Sequence, residues 1–230
     1  MVICGYAKLS LLDYPDKMAS TVFTGGCNLR CPFCHNAPLV TEVYKAPRID
    51  QAEVLDYLTR RKKILDGVCI TGGEPLLNDD IDDFIKKVKD IGYLVKLDTN
   101  GTFPEKLDKL LEQGIIDYVA MDIKNCREKY PETVGQLTFD VKPVEDSVKI
   151  LMGSGVEYEF RTTLVRELHS LADMDRIGAW LKGAPKYYLQ TFKDSGHLIK
   201  PGLTGFDAQT MYAFRDRAAE YFNKVEVRGL

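Results

Sequence analysis

No apolar stretch of this 230-residue chain approaches the roughly 20 residues that span a bilayer, so no membrane-crossing helix is expected. The first ten residues, MVICGYAKLS, lack both the basic start and the long apolar centre of a secretory leader. Positive charge is not in excess either: 31 Lys and Arg stand against 34 Asp and Glu, a net charge of −3. That balance argues against a dedicated nucleic-acid binder, which would be strongly basic. The one basic run, Arg60-Arg61-Lys62-Lys63, falls on an expected helix and reads as a solvated face. Low-complexity tracts, linkers and short-period repeats are missing too. A cytoplasmic location is expected, where thiols stay reduced and disulfides are rare.

What is present is ordinary globular composition, 45% hydrophobic and 28% charged, enough for one sizeable core or two small ones. From residue 18 onward, β-rich runs alternate with helical patterns. The strand candidates are 18–24, 67–71, 93–98, 118–123, 158–164 and 187–192, with a weaker one at 225–228. Between them the period becomes helical. Ile81, Phe84, Ile85 and Val88 form one stripe, with Asn78 or Asp79 available as N-cap. Leu107, Leu110 and Leu111 form another, closed by Gly114. Val144, Val148 and Leu151 follow Pro143, which suits a first helical turn. Further stripes run through Met174, Ile177 and Leu181, and through Met211, Phe214 and Ala218. One α/β domain over 1–230 is expected, with parallel strands and a core at about 18–192. A short N-terminal extension precedes the core, and 193–230 supplies a loop, a helix and a possible last strand. Six β-α units are too few for an eight-fold barrel and suit an open sheet or a partial barrel.

Each strand ends in something polar or unusual. The first leads into Cys27, the second into TGGEP (71–75), and the third into DTNG (98–101). The fourth delivers Asp122 and Lys124, the fifth carries Arg161 and Thr163, and the sixth carries Gln190. Sites in α/β folds collect at the carboxyl ends of parallel strands, so these residues read as one pocket.

The segment GGCNLRCPFCHN (25–36) holds Cys27, Cys31 and Cys34, three of the chain's six cysteines. Clustered free thiols would be an oxidation liability. Structural zinc wants four ligands, and His35, adjacent to Cys34, is poorly placed to join the same tetrahedral ion. An iron–sulfur cluster usually takes four cysteines. Three would leave one iron of a 4Fe–4S cube open, and an open coordination position marks catalysis rather than scaffolding.

The run CNLRCPFC, followed by GGEP after the next strand, resembles the C-x3-C-x-aromatic-C signature of the radical S-adenosylmethionine (radical SAM) enzymes. The resemblance implies a partial (β/α)6 barrel and a 4Fe–4S cluster on Cys27, Cys31 and Cys34. The open iron would bind the amino and carboxylate groups of S-adenosylmethionine. Reductive cleavage would then give methionine and a 5′-deoxyadenosyl radical. Phe33 matches the aromatic position that meets the adenine. Gly72, Gly73 and Glu74 are expected at the methionine ammonium, and Asp98 and Asn100 at the ribose. Lys124 and Arg161 are expected at the carboxylate.

A closer likeness extends over nearly the whole chain. KLSLLDYPDKMASTVFTGGCNLRCPFCHN, MDIK, EFRTTLV and YYLQTFKDSG resemble the activating proteins of anaerobic ribonucleoside-triphosphate reductase. These place a radical on a glycine of a separate reductase subunit. The likeness implies that reductase as partner and a low-potential donor such as flavodoxin or ferredoxin. It also implies a monovalent cation beside Asp98 and Asp122. Segments 125–139 and 193–205 are longer than simple connections need and are expected to flank the opening and contact the partner. Pyruvate formate-lyase activating enzymes share the CHN tripeptide, but have a histidine where this chain has Gln190. No cysteine-rich ferredoxin-like insertion is present, and Cys4, Cys69 and Cys126 read as buried small hydrophobes. The alternatives are a radical SAM enzyme acting on a small molecule, of the 7-carboxy-7-deazaguanine synthase kind, or a non-catalytic iron–sulfur or zinc module.

Overall fold

The computed structural model describes all 230 residues, Met1–Leu230. Eight strands form one sheet whose spatial order follows the chain. They are β1 (Ile3–Ser10), β2 (Ala19–Thr24), β3 (Gly67–Gly72), β4 (Leu94–Thr99), β5 (Tyr118–Asp122), β6 (Glu157–Leu164), β7 (Lys186–Thr191) and β8 (Lys224–Arg228). The helices are α1 (Ala37–Thr41), α2 (Gln51–Arg61), α3 (Ile81–Ile91), α4 (Pro104–Glu112), α5 (Tyr130–Thr133), α6 (Lys142–Gly153), α7 (Leu171–Trp180) and α8 (Ala208–Ala218). All pairings from β2 to β8 are parallel, and β1 joins β2 antiparallel. With β1 at one edge and β8 at the other, the sheet is an open, partial barrel. Helices that cross from each strand to the next supply its apolar cover.

Local sequence accounts for the helix ends. The α3 stripe of Ile81, Phe84, Ile85 and Val88 is fully buried, and Gly92 ends the helix in a left-handed conformation. Asp80, rather than Asn78 or Asp79, takes the N-cap position of α3. Helix α7 begins at a capping box, with the Ser170 hydroxyl accepting from the Asp173 N–H and the Asp173 carboxylate from the Ser170 N–H.

The N-terminal extension proves to be a strand. Its signal is weak because the β1–β2 register shifts between Ile3 and Gly5 and again between Ala7 and Ser10, which breaks the period-two pattern. Segment 125–139 is likewise more ordered than a plain loop. It contains a 3₁₀ turn and α5, with Asn125, Cys126, Tyr130, Thr133 and Val134 all buried.

Alternation along the strands explains the polar concave side. On β4, Val95 and Leu97 enter the apolar core while Lys96 and Asp98 take the opposite face. On β5 and β6, Met121 and Phe160 are core residues, whereas Asp122 and Arg161 stand side by side as directly paired neighbours.

Candidate active site

Residues 25–36 leave β2 as an irregular loop, and backbone contacts with β3 hold its start. The Gly26 carbonyl accepts from Glu74 N–H at 2.8 Å, and the Thr24 carbonyl from Gly73 N–H at 2.9 Å. This approach is what the two glycines of GGEP permit. A Cβ on Gly73 would stand 1.9 Å from the Gly26 oxygen, and one on Gly72 would stand 2.4 Å from Thr24 backbone atoms. Gly72 also has φ of +120°, a conformation that disfavours side chains. The glycines border the cavity, but the backbone that comes closest to them is the protein's own.

A cavity of about 300 Å³ opens at the carboxyl ends of the strands. It is lined by Cys27, Cys31, Cys34 and Phe33 from the loop, by Gly72 and Gly73, and by Asp98, Asn100, Asp122, Lys124, Arg161 and Gln190. Of the expected site residues only Glu74 is outside the lining. Its carboxylate is fully buried, accepting from Leu76 N–H at 3.0 Å, Thr99 Oγ1 at 2.8 Å and Asn100 N–H at 2.7 Å. Glu74 therefore ties the end of β3 to the end of β4 instead of facing a ligand ammonium. Burial pushes its carboxyl up to about 7 against those three hydrogen bonds.

The acidic pair at the cavity floor is already neutralised. Arg161 donates from Nε to Asp122 at 2.9 Å and from Nη1 to Asp98 at 3.0 Å. Lys124 donates to Asp122 at 3.0 Å, and Lys96 pairs with Asp98. Burial alone would raise both carboxyls. The guanidinium and the lysines outweigh it, holding Asp122 down at about 2 and Asp98 below its ordinary value. Beside Asp98 and Asp122, where a monovalent cation is expected from the sequence, these side-chain cations already meet the two charges. Both Asp98 oxygens accept from cations, Oδ1 from Lys96 and Oδ2 from Arg161, while the residue still lines the cavity. The Asn100 amide is committed as well, to Asn28 and Thr102.

Of the three cations, Lys96 is buried behind Asp98, and Arg161 and Lys124 are the two that line the cavity. Arg161 Nη2 has no partner within the protein. Lys124 is held in turn from below: its N–H donates to the Tyr130 hydroxyl at 3.2 Å, and its carbonyl bonds to His169 Nε2 at 2.8 Å. On the far wall, Thr163 donates to Gln190 Oε1 at 3.3 Å.

The three thiols share this cavity. Burial pushes Cys31 up to about 12, with the Lys124 ammonium pulling the other way. Burial raises Cys27 and Cys34 too, again opposed by Lys124. Ligation strips such protons from thiols, and a nearby ammonium favours the thiolate. No three His, Cys, Asp or Glu groups of the chain stand close enough to hold a single metal ion. A cluster of several irons spreads its ligands over a wider span than one ion does. Three cysteines without a fourth fit a polynuclear cluster with one open corner better than structural zinc, which takes four ligands.

Asp13, His35 and Asn36 also line the cavity, none of them given a role at the ligand from the sequence. Asp13 accepts from Thr21 Oγ1 at 2.6 Å and lines the cavity from the β1–β2 turn. His35 bonds to the Lys193 carbonyl at 2.7 Å and stacks on Phe192. Asn36 donates to the Gly72 carbonyl at 3.0 Å. Asp13 lies in a turn with no strand-end signature, so only the folded chain brings it near the cysteines.

Residues 21–180 match the family model of the radical SAM superfamily. A protein of Methanocaldococcus jannaschii, provisionally named a glycyl-radical enzyme activating enzyme, is 32% identical over 84% of this chain and 80% of its own length. The pyruvate formate-lyase-activating enzyme of Clostridium pasteurianum is 30% identical over 70% of this chain and 67% of its own. A 7-carboxy-7-deazaguanine synthase of Thermoplasma acidophilum is 31% identical over 63% and 65%. Among solved structures, a radical SAM methyltransferase from Sphaerobacter thermophilus superposes with a TM-score of 0.73 at 15% identity, covering 96% of this chain and 68% of that one.

Proposed function

The chain belongs to the radical SAM superfamily, and from that premise we propose that it activates a glycyl-radical enzyme, namely anaerobic ribonucleoside-triphosphate reductase. The family implies a 4Fe–4S cluster and S-adenosylmethionine. No helix is long and apolar enough to cross a membrane.

The observation that carries the enzymatic reading is the meeting of three thiols with Arg161 and Lys124 in one cavity. Cys27, Cys31 and Cys34 would hold the cluster. Arg161, through its free Nη2, and Lys124 receive the carboxylate of the methionine moiety. Phe33, itself buried, forms the adenine side of the cavity, and the Gly72–Gly73 backbone the ammonium side. A cluster held there, with a flavodoxin or ferredoxin as electron donor, would supply reductive cleavage of S-adenosylmethionine and so the carbon radical needed to take a hydrogen from a glycine of the partner. Asp98 and Asp122 stay ionised throughout and keep the guanidinium oriented.

Fold alone does not choose the substrate. The activase reading rests on the sequence likeness from KLSLLDYPDK to YYLQTFKDSG, and on the relative named for that activity. Segment 193–205 suits the partner-facing role. It is largely exposed, and it touches the cysteine loop where Lys200 N–H donates to the Pro32 carbonyl at 3.0 Å. Segment 125–139 instead buttresses that loop, with Arg30 N–H donating to the Val134 carbonyl.

The deazaguanine synthase relative favours a second reading, chemistry on a purine-like small molecule. Anaerobic incubation with S-adenosylmethionine, a reductant and candidate reductases separates the two. A glycyl radical in the paramagnetic resonance spectrum of the reductase is the expected result. Turnover of a purine-like compound with no radical on any protein would replace this reading with the second.

A further inference from the structure

Asn100 is buried at the end of β4, and nothing assigned above uses its side chain. Its backbone is fixed, because its N–H donates to Glu74 Oε2 at 2.7 Å. Its amide is fixed as well. Oδ1 accepts from Thr102 N–H at 3.0 Å and from Thr102 Oγ1 at 2.6 Å. A backbone N–H can only donate, so the amide oxygen must face Thr102 and the NH₂ must face the other way. There Nδ2 donates to Asn28 Oδ1 at 3.1 Å and points at Cys27 Sγ from 3.7 Å.

Asn28 closes the ring by donating from Nδ2 to Thr102 Oγ1 at 2.8 Å. The Thr102 hydroxyl donates to Asn100 and accepts from Asn28, so the directions of all the bonds agree. Gln136 Nε2 secures Asn28 from outside by donating to its carbonyl. Cys27 Sγ also accepts from Leu29 N–H at 3.4 Å. Cys27 is the one thiol of the three that a side-chain donor reaches.

We propose that Asn100 is a positioning residue that raises the reduction potential of the cluster through the Cys27 sulfur. This rests on the assignment of Cys27 as a cluster ligand. Adding an electron increases the negative charge on the ligating sulfurs. An N–H aimed at one of them therefore stabilises the reduced form more than the oxidised form, and hydrogen bonds to sulfur are an established lever on such potentials. Because Thr102, Asn28 and Glu74 already hold the amide in place, reduction requires no reorientation. The same ring fastens the loop at Cys27 to the end of β4, so sulfur position and potential are set together.

The test uses the full-length protein, reconstituted anaerobically without S-adenosylmethionine, with iron content measured first. Asn100→Asp keeps the shape and exchanges the donor for a negative charge. Iron content should match the wild type, and the midpoint in a redox titration followed by paramagnetic resonance should move to more negative potential. Thr102→Val removes the lock on the amide and should give a smaller shift in the same direction. Wild-type protein grown with ¹⁵N-asparagine should show a nitrogen coupling to the reduced cluster that Asn100→Asp lacks. Equal potentials in wild type and both variants at full iron content would overturn the proposal, as would a coupling that survives Asn100→Asp. If Asn100→Asp takes up no iron, Thr102→Val and the labelled wild type decide. A wild type that assembles no cluster would remove the Cys27 assignment first, and this inference with it.

Discussion

Arg161 and Asp122 are direct neighbours across β5 and β6, joined by a hydrogen bond of 2.9 Å from Nε. The same guanidinium reaches Asp98 on β4, so one side chain fastens the carboxyl ends of three adjacent strands. Two of its nitrogens orient it and the third has no partner within the protein. A lysine could not do this, since its ammonium lacks the planar fork.

Replacing Arg161 by Ala should leave iron content unchanged, because no cluster ligand is lost. S-adenosylmethionine binding, measured by anaerobic equilibrium dialysis, should weaken by roughly 10–100-fold, the worth of a charge-assisted hydrogen bond. Two buried carboxylates would lose their shared partner, at a cost of roughly 3–5 kcal/mol in urea unfolding. Unimpaired binding would remove Arg161 from the ligand site.

Monovalent cations should not matter. The charges of Asp98 and Asp122 are met by Arg161, Lys96 and Lys124. The rate of S-adenosylmethionine cleavage should therefore be the same in sodium, potassium or a bulky organic cation at equal ionic strength. A marked sodium or potassium requirement would show that a metal ion displaces part of this network.

Gly73→Ala should damage cluster assembly without touching a ligand. The added methyl would overlap the Gly26 carbonyl, and backbone cannot give way as a side chain can. The cysteine loop must then shift, and iron bound after reconstitution should fall well below wild type. Gly155→Ala, where the new methyl meets nothing within 4 Å, should bind iron normally and serves as control.

The Glu74 carboxyl should make apo-protein stability depend on pH in an unusual direction. Its folded value is raised to about 7, above the ordinary 4.5. The native carboxyl therefore keeps its proton where the unfolded chain has released it. Its contribution is full below about pH 4.5 and is lost as pH rises through about 7. Measured against Glu74→Gln, the wild type should lose roughly 3 kcal/mol of stability across that window. Parallel pH profiles for the two proteins would show that Glu74 ionises normally in the fold.

The six central strands were legible because each is a short β-rich run followed by a helical stripe, patterns that depend on neighbouring residues. Strand β1 was not, since bulges interrupt its alternation and its partner is a different segment. The polar strand ends likewise identified the cavity lining from position alone, from Cys27 to Gln190.

What the sequence determined by itself is the chemistry at hand: three thiols in eight residues, a glycine pair after the next strand, and cations and carboxylates at successive strand ends. Tertiary structure decided how those groups are spent. Glu74 and Asn100 proved to be bound to the protein, Arg161 bridged Asp98 and Asp122, and Asp13 joined the cavity from the β1–β2 turn. The reason is physical. Periodicity and spacing tell which residues share a face, but a buried polar group must be satisfied by whatever lies nearest in space, and that neighbour is set by how the strands register.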